Sequence, residues 1–93
     1  MLFRSDPAPA IARRQVLRWR TQGNALSLYG DRMAAAPAAL INATAAHALD
    51  YDDVHLATTC HAGAPTLAAV LAAGGDRGAR GIDVLKEIGR AHV

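Results

Sequence analysis

The chain has 93 residues, 52% of them hydrophobic, and a formal net charge of +2 at pH 7. That length allows at most one small domain, and so small a charge gives no reason to expect nucleic acid or an anionic membrane as a partner. A single cysteine excludes an internal disulfide framework and fits a reducing cytoplasm.

Much of the apolar content is alanine, and large core formers are sparse: one Trp, one Phe and two Tyr. Such a composition reads as a piece of something larger. The two ends support this expectation. Met1 to Ser5 (MLFRS) and Glu87 to Val93 (EIGRAHV) resemble the two translated strands of a sequencing-library adapter. They are therefore set aside as tails of 1–5 and 87–93, which leaves 6–86 as genuine protein.

In chain order, Asp6 to Pro9 reads as a polar lead. Ile11 to Arg20 reads as an amphipathic helix, with Val16, Leu17 and Trp19 as its apolar contacts. Arg13, Arg14, Arg18 and Arg20 form its charged part, a solvated face without the aromatic interleaving of a nucleic-acid surface. Thr21 to Asn24 is a turn, and Ala25 to Gly30 alternates too briefly for more than a short extended segment. Asp31 is a plausible N-cap, and Pro37 suits the first turn of the helix that follows. Leu40, Ile41, Thr44, Ala45, Ala48 and Leu49 then recur at helical spacing as one buried stripe. Alanines through this segment favour helix and close approach. The helix is expected to end near Asp53 to His55.

Pro65 starts another helix with Leu67, Val70 and Leu71 inward, ending at Gly74-Gly75. The apolar run from Ala62 to Gly75 falls short of the ~20 residues that cross a bilayer, so no membrane segment is expected. Gly74 to Gly81 reads as an interhelical linker, since no strand precedes it to make a phosphate cradle. Gly81 to Lys86 opens a last helix that the tail interrupts. The expected fold class is all-α.

The chemistry is concentrated between Asn42 and Pro65, NATAAHALDYDDVHLATTCHAGAP, which holds three of the four histidines, three of the eight acidic residues and the cysteine. His47 and Asp50 lie three apart and would share a helix face. Three readings fit this cluster. Asp50, Asp52 and Asp53 can terminate the helix beside ordinary histidines. His47, Asp50, Asp53, His55 and His61 can also ligate a metal, although their spacing matches no strong metal motif. Asp/His sets of this kind also perform acid–base catalysis without metal. Cys60 is expected to be a buried structural thiol, because adjacent residues on an extended loop keep it from pairing with His61. Asn42-Ala43-Thr44 matches a glycosylation acceptor by chance, in mid-helix.

The words INATAAHALDYDDVH followed by HAGAPTLAAVLA resemble the signature of the MmgE/PrpD family. There an asparagine-bearing helix runs into H-x-L/M-D-[FY]-D-D-T, and a histidine loop opens the next helix. The resemblance is close over about Tyr29 to Ala73 and looser elsewhere. It implies a fragment of the helical domain of a larger enzyme, of the kind that includes 2-methylcitrate dehydratase, cis-aconitate decarboxylase and related epimerases. It further implies a cofactor-independent lyase, commonly a homodimer, that handles a carbon next to a carboxylate in a di- or tricarboxylic acid. By position, Asp50 and His61 match the catalytic aspartate and histidine. Val54 and His55 fall at substrate-binding positions, Val54 where a threonine usually stands. Ala62 and Gly63 replace the usual Pro-Ser. No metal or other cofactor is implied. Arg32 is the cation nearest in sequence for a substrate carboxylate. The competing reading is a small helical metal-binding or interaction module without catalysis.

Overall fold

The computed structural model describes residues 6–50 and 52–91. Residues 1–5 and 92–93, which carry much of the expected adapter-like tails, lie outside the described residues, as does Tyr51. The order is α1 (Pro7–Leu17), β1 (Ala25–Leu26), β2 (Arg32–Met33), α2 (Ala35–His47), α3 (Gly63–Arg77) and α4 (Gly81–Ala91). The protein is mainly helical, and the two short strands form the one sheet among the described residues.

The lead expected before the first helix is instead its beginning. Asp6 is the N-cap, its carboxylate accepting the Ala8 N–H at 2.9 Å, and Pro7 opens the helix where its missing N–H costs nothing. The helix stops at Leu17, three residues early. Trp19 N–H donates to the Val16 carbonyl and Arg20 N–H to that of Leu17, tightening the exit, and Arg20 takes a positive φ of 52°. Only Pro9 and Val16 of α1 are buried, whereas Leu17 and Trp19 are 42% and 51% exposed.

Asp31 does not cap a helix. Ala25 to Met33 folds back as an antiparallel hairpin pairing Ala25 with Met33 and Leu26 with Arg32, the reversal passing through Gly30 at φ 94°. Asp31 stays in that turn and takes both the Nε and the terminal N–H of Arg13, at 2.7 and 2.9 Å. Its carboxylate also accepts from the Ser27 hydroxyl at 3.0 Å. The hairpin is seated by Asn42 on α2, whose amide oxygen accepts the Leu28 N–H at 2.8 Å and whose amide nitrogen donates to the Leu26 carbonyl at 3.0 Å. Those two hydrogen bonds are what the mid-helix asparagine supplies. Gly23 lets the chain enter the hairpin: a Cβ there would stand 2.7 Å from the Met33 carbonyl oxygen and 2.9 Å from Ala34 Cα.

α2 packs most extensively on α3, with α1 against α2 and α4 against α3. The core is Val16, Ala25, Met33, Ala38, Ile41 and Ala72, with Leu28, Tyr29, Ala35 and Ala39 packed on it. Ile41 is fully buried, but Leu40, expected in the same stripe, is 46% exposed. On α3 the buried positions are Ala64, Ala68 and Ala72, and the expected inward Leu67 and Leu71 are about half exposed. The small alanine side chains allow α2 and α3 to approach, so the leucines turn away. α3 runs past Gly74-Gly75 to Arg77 and ends at Gly78, left-handed at φ 67°. α4 continues without a break through Ala91, so the last helix is not interrupted where the tail was expected to begin. No helix among the described residues is long and apolar enough to cross a membrane.

Candidate functional site

The candidate site lies where α2 gives way to the loop leading to α3. α2 ends at His47, six or more residues before the expected boundary. The Asp50 N–H donates to the His47 carbonyl at 2.8 Å, and Asp50 adopts φ 57°. Aspartate tolerates this left-handed conformation better than most residues. Asp50 therefore does not share a helix face with His47; the turn brings the two together. The loop then closes on itself. The His55 N–H donates to the Cys60 carbonyl at 2.8 Å, and the Thr58 N–H returns to the His55 carbonyl at 3.1 Å. Asp53 accepts the Gly63 N–H with both carboxylate oxygens, at 3.0 and 3.2 Å, pinning the loop to the start of α3. A negative charge at a helix N-terminus is favourable. A Cβ on Gly63 would collide with that carboxylate.

This closure delivers His61 back to His47. Their rings meet edge-on, centroids 4.7 Å apart at an interplanar angle of 63°. Asp52 lies between them, its side chain only 8% exposed. The Nδ1–H of His47 donates to both its oxygens, at 2.8 and 3.0 Å. A carboxylate only accepts, so the proton in this contact sits on His47 Nδ1. His61 Nδ1 stands 3.4 Å from the second oxygen, within ion-pair range but out of hydrogen-bond geometry, and that nitrogen is buried without a hydrogen-bond partner among the described residues. Burial pushes the Asp52 carboxyl up. The His47 hydrogen bond, its own backbone N–H and the charge of both imidazoles outweigh burial and hold it below the ordinary 3.8.

One nitrogen or oxygen from each of His47, Asp50, Asp52 and His61 falls within 4.8 Å of the other three. The expected catalytic pair, Asp50 and His61, is thus brought together. The expected substrate-binding positions are not part of that cluster. Val54 is 46% exposed, and His55 is exposed with Nδ1 3.1 Å from the Thr58 hydroxyl. Asp53 and His55, both weighed as metal ligands, are committed to Gly63 and Thr58. Arg32 donates to the Asn24 carbonyl at 3.3 Å, within the hairpin. Cys60 is exposed and free, not a buried thiol.

Sequence reasoning treated Asp52 as a helix terminator and missed it as the centre of the cluster. A signal was present. Three aspartates in the last turn of a helix oppose its dipole, which argues that the helix stops before them and frees their carboxylates.

A family model for the MmgE/PrpD N-terminal domain matches residues 3–92 of the chain. No curated protein and no solved structure gives a significant match. The matched span includes every residue of the cluster and of the helices that position it. The chain belongs to the MmgE/PrpD family, as sequence of its N-terminal domain.

Proposed function

We propose that this chain supplies part of the active site of a cofactor-independent lyase that removes the proton next to a carboxylate in a di- or tricarboxylic acid, as a 2-methylcitrate dehydratase does. Family membership supports the coarse class, a dehydratase-like lyase. The observation that carries the finer reading is the convergence of Asp50 and His61, eleven positions apart in sequence, in one cluster with His47 and Asp52.

A proton α to a carboxylate is very weakly acidic, so its removal needs a positioned base and stabilisation of the enolate-like anion. His61 is the group that takes this proton, and Asp50 orients it or relays the proton. Loss of the β-hydroxyl with a returned proton then leaves water and a carbon–carbon double bond. Val54 cannot donate the hydroxyl hydrogen bond of the threonine usual at its position, which weakens the hold on a substrate carboxylate. The cations that pair with such carboxylates, ideally bidentate arginine, are expected beyond residue 93. The half-exposed Leu67 and Leu71 support the idea that further chain, or the second subunit of a homodimer, covers α3. A cytoplasmic enzyme fits this reading.

The test is turnover of 2-methylcitrate by the 93-residue chain and by a protein from the full reading frame. The longer protein is expected to form the unsaturated product and the 93-residue chain none. Turnover by the short chain would refute the half-site, and an inert, well-folded longer protein would refute the substrate class.

A further inference from the structure

The same cluster has the make-up of a transition-metal site, and the sequence spacing did not show it. Two imidazoles and two carboxylates present one donor atom each within a span of 4.8 Å. Donor atoms around tetrahedral zinc lie about 3.3 Å apart, given Zn–N and Zn–O bonds near 2.0–2.2 Å. His47 Nδ1 stands 2.8 Å from one Asp52 oxygen and His61 Nδ1 3.4 Å from the other, and a metal ligated by His47 Nδ1 displaces the proton held there. The remaining gap up to 4.8 Å is left to side-chain rotation. The groups with the most room to move are His47 and Asp50, both exposed. Asp52, by contrast, is held at 8% exposure at the centre. His61 adds a buried ring nitrogen with no hydrogen-bond partner among the described residues, a donor that the protein alone leaves unused. The nearby alternatives are occupied or point elsewhere: Asp53 caps α3 and His55 meets Thr58.

We propose that His47, Asp50, Asp52 and His61 bind one divalent first-row transition ion, with zinc as the probe. Nitrogen and oxygen donors in equal number suit zinc, cobalt or nickel and give calcium or magnesium, which prefer all-oxygen shells, little hold. The binding claim stands apart from the lyase reading. Its consequence rests on that reading: the ion occupies the lone pairs of Asp50 and His61 and so blocks proton transfer, acting as an inhibitor and not as a cofactor.

The experiment is zinc titration of the purified 93-residue chain by calorimetry, with circular dichroism to confirm equal helicity in each variant. One zinc per chain is expected. Asp50→Asn and His47→Gln should each weaken binding roughly 10-fold or more, and His55→Ala and Cys60→Ser should leave it unchanged. Cobalt(II) provides a check that needs no variant: the expected spectrum has visible ligand-field bands and no thiolate charge-transfer band. Absence of binding, a thiolate band, or loss of affinity in His55→Ala or Cys60→Ser would each overturn the site. Binding without any loss of turnover in the longer protein would leave the site intact and overturn the inhibitory consequence.

Discussion

Asp52 shows how one side chain organises the site. It holds the proton-bearing nitrogen of His47 and stands 3.4 Å from the buried nitrogen of His61. Replacing it with alanine should free both imidazoles, with the α2–α3 loop losing order. Histidine side-chain NMR should then show His47 and His61 shifting together and His55, bonded only to Thr58, staying in place. A second carboxylate, Asp31, contributes to the chain's acid sensitivity. Hydrogen bonds from Arg13, with help from Ser27, outweigh burial and hold its carboxyl below 3.8. Its stabilisation is therefore complete above that value and lost as pH falls through the lower, folded-state value. Arg13 is 36% exposed, so screening limits the pair to about 0.5–1 kcal/mol. Asp31→Asn should lower stability at pH 7 by that amount and flatten its decline below pH ~4, as read from urea unfolding at several pH values. Val54→Thr, at a half-exposed position, should leave stability within about 0.5 kcal/mol and lower KM in the longer protein.

Among the elements, the hairpin and its latch decide how α1 meets α2. Asn42→Ala removes two hydrogen bonds to Leu26 and Leu28 and should cost about 1–2 kcal/mol. Ile41→Ala, at the fully buried centre of α2, should cost about 2–4 kcal/mol. Both are read from chemical denaturation. The sequence made the helices legible because alanine runs, Pro37 and Pro65 leave local marks, while the end of α3 at Gly78 was missed. It hid the hairpin, since two-residue strands are too short for an alternating pattern. Asp31 was misread for the same reason: its role depends on Arg13, eighteen positions away, and no local signal reports that pairing. The inward faces of α2 and α3 were assigned by size, whereas the close approach of the two helices selects alanine and turns Leu40, Leu67 and Leu71 outward. The family's wording singled out Asp50 and His61, which the fold places in one cluster. Asp52 was not singled out, because its importance comes from loop closure and not from helical spacing.

At the scale of the whole molecule, burial is modest. Among the described residues only nine hydrophobic side chains besides proline are buried, and six of them are alanine. Leu56, Leu85, Ile11 and Leu71 remain more than half exposed. A concavity of ≈ 540 Å³ between α3 and α4, lined by Ala69, Val70, Ala73 and Val84 among others, shares no residue with the His/Asp cluster. The His/Asp cluster, by contrast, is assembled from the end of α2 and the loop that Asp53 and Gly63 close, all within this chain. The central claim is that Asp50 and His61 carry proton transfer once the remainder of the enzyme is present. The most direct measurement is kcat/KM for 2-methylcitrate in the protein from the full reading frame, with His61→Ala and Asp50→Asn compared against the unmodified enzyme. The prediction is a fall of about 10²–10⁴-fold for each, the range for loss of a positioned acid or base. Variants that keep their helicity and turn over within a few-fold of the unmodified enzyme would contradict it.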